Sequence, residues 1–507
     1  MKDLTRKTVS ALAWLSVSHG LRVVFQIGVI LVLSRLLGPE PFGVVAAAGV
    51  VILVAQAIAP LGLAAALVAV PGADDQTVRA VTTVSLGFAA LLSLGIGAAA
   101  PIVERQMGMP GVATAMFLLL PVVLIAPIKQ ISLRTLHKRM AYRAVAVADA
   151  FLYLVLYGGL SVVLALGGWG FRGLVIAQTV SELASAILML AVSRAPLGLT
   201  SDLRGLRPML SYGLGLTAAN AADSLAEGLP KVFAGNALGA AALGCYGRAW
   251  DVTRRLNTAL EEVSSKVLFP AFALRQDSPG VLGELYARYL PVSLAVMIPV
   301  GVILAAAREE VVLLLLGRGW EHAVVPFGVL ALLLPIQSMR KITLTVLNSL
   351  GRSGRNLMVN AATCGVVLVL LPFAVRLGLP GVAWAIFLAS LCGAVLAQGA
   401  ALRALGVRSL EMIRAQAPPL LDGVLVAGGC WAATVLLHRH GVTSPIVRIL
   451  AIGVGGALAG GLGLLILPQA FAPAHLRELF NRWWVSVLRL TRRLPPWDET
   501  KRSGSDG

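Results

Sequence analysis

The sequence predicts an all-α integral membrane protein: fourteen transmembrane helices, built as two parallel six-helix repeats plus two further C-terminal helices, with both termini cytoplasmic. Three observations carry this expectation. Of 507 residues, 58% are apolar and 13% charged, with a mean hydropathy of +0.85; soluble domains run near half apolar and a quarter charged. Apolar runs of about 20 residues, the length that crosses a bilayer, recur along the chain. Lys and Arg, the source of a net charge of +18, concentrate in alternate loops. Too few polar residues are present to cover the several soluble domains that a chain of this length would form. Disorder and nucleic-acid binding are excluded because the positive charge is scattered through apolar sequence.

The expected spans, α1 to α14, lie near 10–34, 42–69, 80–103, 111–133, 144–167, 173–193, 209–234, 244–270, 289–307, 323–349, 356–375, 380–402, 423–438 and 449–468. Turn chemistry marks the breaks, as in Gly38-Pro39-Glu40-Pro41, Gly167-Gly168 and Gly378-Leu379-Pro380-Gly381. The run forming α1 continues to about Leu33, too long for a signal-peptide core and without a small-residue cleavage site, so it reads as a membrane helix. α8 is amphipathic rather than uniformly apolar, which also fits a helix lying partly in the interface.

Charge placement tests the count. Nine of the 42 Lys and Arg fall inside spans: Arg22, Lys129, Lys231, Arg248, Arg254, Arg255, Lys266, Arg340 and Lys341. The remainder split 25 to 8 in favour of the inner side when the N-terminus is cytoplasmic. That bias has the expected sign, and one missed helix would erode it. After α14, Leu476, Leu479, Phe480, Trp483, Val487 and Leu490 recur at helical spacing with arginines on the other faces. This predicts an interfacial helix on the anionic inner leaflet.

An internal repeat supports the same architecture. Leu37-Gly38-(three residues)-Phe42-Gly43 recurs as Leu238-Gly239-(three residues)-Leu243-Gly244, joining the first two helices of each half. Gly170-Phe171-Arg172-Gly173 recurs as Gly378-Leu379-Pro380-Gly381, and Lys129-Gln130-Ile131-Ser132-Leu133 as Arg340-Lys341-Ile342-Thr343-Leu344. Six helices per half is an even number, so the halves are parallel copies, a design typical of transporters with a substrate path between the halves. The expected units are 1–200, 201–405, helices 13 and 14 in 406–470, and the basic tail 471–507.

Seven acids join the nine intramembrane cations: Asp149, Glu182, Asp223, Glu227, Asp251, Glu261 and Glu262. An ion at the bilayer centre costs roughly 2.5–3.5 kcal/mol or more, so these groups must face one another or water. Asn220, Asp223, Ser224, Glu227 and Lys231 fall on one stripe of α7 at about 100° per residue. Arg248, Asp251, Arg255, Glu262 and Lys266 form a narrower stripe on α8, with Arg254 and Glu261 beside it. Gln337, Arg340, Lys341 and Asn348 repeat the pattern on α10, and Ser18, Arg22 and Gln26 on α1. Glu227–Lys231, Asp251–Arg255 and Glu262–Lys266 have the spacing of i,i+4 ion pairs that could simply neutralise a seam. Stripes on three or four helices favour a water-filled cavity. Cations left after pairing, chiefly Arg22, Arg248 and Arg340 with Lys341, suit an anionic substrate, since guanidinium forks match phosphate oxygens. Lys129 and Lys266 stand near enough to helix ends to snorkel. His19 reads as a hydrogen-bonded polar residue or a proton carrier. Cys245, Cys364, Cys392 and Cys430 sit singly in apolar runs and read as small buried hydrophobes.

Several segments resemble the polysaccharide transporter (oligosaccharide flippase, Wzx-type) family of the multidrug/oligosaccharidyl-lipid/polysaccharide exporter superfamily. They are Ser34-Arg35-Leu36-Leu37-Gly38-Pro39-Glu40-Pro41-Phe42-Gly43, Phe233-Ala234-Gly235-Asn236-Ala237-Leu238-Gly239 with Leu243-Gly244-Cys245-Tyr246, and Leu268-Phe269-Pro270-Ala271. Leu316-Gly317-Arg318-Gly319-Trp320 and Ser349-Leu350-Gly351-Arg352 continue the pattern, so the resemblance runs from residue 1 to about 405. It implies two six-helix lobes in a V that open alternately to either side of a bacterial inner membrane. It also implies a lipid-linked oligosaccharide, usually on undecaprenyl pyrophosphate, as substrate, with membrane lipids around it. No cofactor is implied beyond an H⁺ or Na⁺ gradient, and a polysaccharide polymerase and glycosyltransferases are the implied partners.

On this reading Arg22, Arg248, Arg255, Arg340 and Lys341 are candidates for the headgroup phosphates, and Asp223, Glu227 and Asp251 for ion coupling. The family commonly has Asp-Arg before the Gly235 motif where this chain has Pro230-Lys231; whether Glu227 or Asp223 stands in for that acid is open at this level. Three other readings remain. A drug or metabolite antiporter of the same superfamily prefers cationic substrates, against this excess of cations. A polysaccharide polymerase or ligase needs a large outer loop or a clustered catalytic set, and the outer loops here are mostly about 10 residues or fewer. A passive scramblase or scaffold would not depend on an ion gradient.

Overall fold

The computed structural model describes residues 25–69, 74–138, 151–203, 206–273, 279–350 and 353–466. Arg22, His19, Asp149 and the tail at 471–507 lie outside them, as do the side chains of Glu261, Glu262 and Lys266. Among the described residues the chain is helical from end to end. In the first half, Phe25–Leu37 forms α1 and Pro39–Leu67 forms α2, broken near Leu61 and Gly62, whose φ values are 50° and 63°. Asp75–Met107 is α3, Val112–Lys138 α4, Tyr153–Leu166 α5 and Gly170–Ser193 α6. In the second half, the continuous trace Arg207–Ala273 contains α7 (207–238) and α8 (240–273). Pro279–Ala306 is α9, and Glu321–Ala331 with Leu333–Ser349 is α10, bent by 41°. Ser353–Ala374 is α11, Gly378–Leu405 α12, Ser409–Arg439 α13 and Pro445–Ile466 α14.

Among the described residues, eight helical runs, or nine with the bent α10, are long and apolar enough to cross a membrane; α11 and α12 form one such run of 52 residues. The described parts of α1 and α5 are shorter apolar helices. Side-chain exposure agrees with lipid outside: Leu94 is 73% exposed and Trp431 71%, a pattern that would make a soluble protein aggregate. The chain is a multi-pass membrane protein.

Several boundaries differ from the sequence expectation, each for a local reason. α3 begins at Asp75 because the Asp74 side chain caps it, accepting the Thr77 N–H at 2.8 Å. α13 begins at Ser409 and runs through Pro418 and Pro419, which suggested a later start. The stretch after α9 holds a short helix, Arg308–Leu315, rather than only loop. The expected loop between α7 and α8 shrinks to one residue, Gly239, with φ 85° and ψ 178°, a backbone region open essentially to glycine alone. Gly38, its counterpart in the repeat, has φ 67° and ψ −176°. The same motif therefore builds the same turn in each half.

Two cores flank a central seam. Val44, Ala47, Ala48, Ala89, Met116, Leu119 and Val175 bury α2, α3, α4 and α6 together. A larger core gathers Tyr246, Val252, Phe327, Leu330, Val382 and Ile386 of the second half and takes in Val29, Ile30 and Leu33 of α1. α2 lies along α7 and α8. A Cβ on Gly43 would collide with the Ala240 carbonyl, and one on Gly244 with the Pro39 carbonyl. Pro39 and Ala240 are themselves counterparts in the repeat, so this helix crossing is built twice from one motif. At the other end of α2, Gly62 meets the Gly213 backbone just as closely.

Candidate functional site: a cationic cleft between the halves

Two adjoining cavities of about 320 and 340 Å³ lie along this seam, a third of about 440 Å³ opens beside them among helices of the second half, and Glu227 lines all three. The stripes read from the sequence form their walls. Asn220, Asp223, Ser224, Glu227 and Lys231 of α7 face them, as do Arg248, Asp251, Arg254 and Arg255 of α8. Gln337, Arg340, Lys341 and Asn348 of α10 all line the third cavity. Of the candidate site residues, Arg248, Arg255, Arg340, Lys341, Asp223, Glu227 and Asp251 are thus brought together, and Arg22 lies outside the described residues. Gln26, on the same stripe of α1, is buried.

Glu227 is the hub. Its Oε1 accepts from Lys231 Nζ at 3.4 Å and from Trp250 Nε1 at 3.2 Å, and pairs with Arg254. Asp223 accepts from Asn360 Nδ2 at 2.8 Å and stands 3.8 Å from the Arg340 guanidinium, which donates to Asn360 Oδ1 at 3.3 Å. The Glu227–Lys231 pair matches its spacing. Asp251 does not pair with Arg255 as its spacing suggested; it lies 3.6 Å from Arg248, one turn the other way. Arg248 is buried, and its guanidinium sits 3.8 Å from the centre of the Phe42 ring, close enough for a cation–π contact. Arg255 lies 5.8 Å from the Tyr153 ring centre, and its buried Nε has no hydrogen-bond partner. Lys129, expected to snorkel, pairs with Glu182 at 2.7 Å.

Seven cations line the three cavities (Arg134, Lys231, Arg248, Arg254, Arg255, Arg340 and Lys341) against four acids, Glu182, Asp223, Glu227 and Asp251. A cleft with this surplus attracts anions, and its low-dielectric walls strengthen the attraction. Among the described residues no group of three His, Cys, Asp or Glu could hold a metal ion, and the four cysteines are free thiols. Sequence reasoning passed over Phe42, Trp250 and Asn360. Asn360 alone carried a signal, as a polar residue in an apolar helix; the two aromatics look like any core residue until the cation beside them is placed.

Comparison with known proteins places this geometry. Residues 32–325 match the profile of the polysaccharide biosynthesis protein family. The succinoglycan biosynthesis transport protein ExoT of Rhizobium meliloti is 27% identical over 304 residues, 59% of this chain and 61% of that protein's length. The teichuronic acid biosynthesis protein TuaB of Bacillus subtilis is 22% identical over 337 residues, 66% of this chain and 69% of that protein. Among solved structures, the lipid II flippase MurJ in an inward closed conformation superposes with a TM-score of 0.71 at 9% identity, covering 89% of this chain and 99% of that one. An inward-facing multidrug resistance transporter of the MATE family, in the MOP superfamily, gives a TM-score of 0.58 at 16% identity, covering 76% and 94%. These superpositions establish a shared fold. With more than half of its length matched by the family profile, the chain belongs to the polysaccharide biosynthesis protein family.

Proposed function

We propose that this protein flips a lipid-linked oligosaccharide, carried on undecaprenyl pyrophosphate, from the inner to the outer leaflet of a bacterial inner membrane during surface polysaccharide synthesis. The observation that carries the reading is the surplus of cations in adjoining cavities at and beside the seam between two halves of a membrane protein. Arginine forks hold phosphate oxygens in such a site, and no bond needs to be made or broken. The headgroup enters from the cytoplasmic side, Arg248, Arg255, Arg340 and Lys341, together with Arg22, hold its phosphates, and the lipid tail stays in the bilayer. The sugar thereby avoids hydrocarbon.

Alternating access follows from differential affinity: a ligand shifts the two open states only as far as it binds them unequally. Protonation or Na⁺ binding at Glu227, Asp223 or Asp251 resets the cycle by changing how many cations are left for phosphate. Glycosyltransferases supply the substrate and a polysaccharide polymerase consumes it. The names of ExoT and TuaB support the polysaccharide class of the cargo. Deleting the gene should abolish surface glycan and accumulate the lipid-linked intermediate in the inner leaflet. Arg248→Ala and Arg22→Ala should each reproduce the loss at normal protein levels; normal surface polysaccharide in both variants overturns the assignment.

A further inference from the structure

The first cavity has two unlike walls. On one side stand Lys231, Arg248, Arg254 and Arg255; on the other, α5 and α6 present Tyr153, Tyr157, Gln178, Ser181 and Glu182. The phosphate reading uses the first wall and leaves the second without a task. Gln178, Ser181 and Glu182 are separated by three and four residues, which puts them on one face of α6. They present an amide, a hydroxyl and a carboxylate to the same space, a mixed donor and acceptor set. Glu182 is paired with Lys129 at 2.7 Å, so this wall carries no net charge that would repel a phosphate.

The aromatic part is built by an unusual backbone. Tyr153–Gly159 is a π-helical turn, a rare conformation that recurs at functional sites. Residues four apart lie on the same face of such a turn, and the Tyr153 and Tyr157 rings are neighbours, with centres 5.0 Å apart and planes tilted by 34°. Behind them, Gly158 lets Val29 of α1 approach to where a Cβ would be 2.6 Å away, which braces the turn. Neighbouring phenol rings beside polar side chains suit a pyranose, whose C–H face packs on an aromatic ring while its hydroxyls take hydrogen bonds.

We infer that the α5–α6 wall is a saccharide subsite, with Tyr153 and Tyr157 stacking on the first sugar and Gln178, Ser181 and Glu182 hydrogen-bonding its hydroxyls. The inference rests on the phosphate reading above, because a glycosyl phosphate joins its first sugar to phosphorus through a single oxygen, the anomeric one. Arg255 and Tyr153 are neighbours, the guanidinium 5.8 Å from the ring centre, so a phosphate and the sugar attached to it would meet adjacent groups.

The test uses the full chain in lipid nanodiscs and three probes: undecaprenyl pyrophosphate, and the same lipid carrying one glucose or one N-acetylglucosamine. Wild type should bind at least one glycosylated lipid about tenfold more tightly than the bare lipid. Tyr153→Ala with Tyr157→Ala, and separately Gln178→Ala, should bring that ratio to within twofold of unity. Tyr153→Phe with Tyr157→Phe should keep most of it, because stacking needs only the ring. A wild type that binds all three probes equally overturns the subsite, and so does an unchanged ratio in Gln178→Ala together with the double alanine variant. Failure of even the bare lipid to bind marks failure of the phosphate reading, and the subsite falls with it.

Discussion

Glu227 shows how single residues hold the cleft together. One carboxylate oxygen takes Lys231, Trp250 and Arg254, and the side chain is only 18% exposed. Removing an acceptor from partly buried donors costs more than the bond itself contributes, roughly 1–3 kcal/mol or more for charged groups. Glu227→Ala should therefore lower the thermal midpoint of the purified protein, and adding Arg254→Ala should recover part of the loss. An additive double-mutant cycle would show that the two groups do not interact. Asp223 is held differently, by neutral Asn360 and a more distant Arg340, so its partners change least when it gains a proton.

At the level of helices, the repeated glycines carry the seam. Gly43 and Gly244 bring α2 and α8 into backbone contact at one end, and Gly62 brings α2 onto α7 at the other. Gly43→Leu must force the first crossing apart. In that variant a cysteine introduced near the crossing should react with a membrane-impermeant thiol reagent faster than in the parent; equal rates would show that the crossing does not seal this end. Gly239→Ala tests the turn itself, since a side chain at φ 85° costs on the order of 1–3 kcal/mol. The α3 cap has a pH signature. Hydrogen bonds from the Thr77 side chain and backbone hold the exposed Asp74 carboxyl below its ordinary range. The folded pKa is the lower one, so the cap stabilises above the ordinary carboxylate range and is lost as pH falls through the depressed value. Acid should speed amide exchange at the start of α3 in the parent and not in Asp74→Ala.

The whole molecule is two helical halves meeting along a polar seam and wrapped in apolar surface. At the Gly38 end, side chains also join the halves: Trp320 Nε1 donates to the Ser34 carbonyl at 3.1 Å, Arg35 to the Leu314 carbonyl at 2.8 Å, and the Phe42 and Trp320 rings lie 5.7 Å apart. Phe42 also supports Arg248, so the cleft and this closure share a side chain. α14 is tied to the second half by Arg448, 2.9 Å from the buried Glu310 of the short helix. If the halves rock against each other under an ion gradient, a protonophore or Na⁺-free medium should stop transport in vesicles. Transport that persists under both treatments would favour a passive scramblase.

Much of this was legible in the sequence because the bilayer is a demanding solvent. Apolar length fixes where helices fall, and intramembrane ions are costly enough that their spacing revealed the walls of a cavity before any fold was known. Among the described residues, the stripes on α7, α8 and α10 line these adjoining cavities, and the Leu-Gly repeat marks two turns of the same backbone. Tertiary structure alone decided which charges meet. Asp251 turns to Arg248 rather than Arg255, and Lys129 reaches Glu182, because pairing depends on the distance between side chains from different helices as well as on spacing within one. It also supplied the neutral partners, Phe42 under Arg248 and Asn360 beside Asp223, and the pair of tyrosines on α5. Apolar and aromatic residues in a membrane helix look alike in sequence, and packing across the seam is what sets these apart.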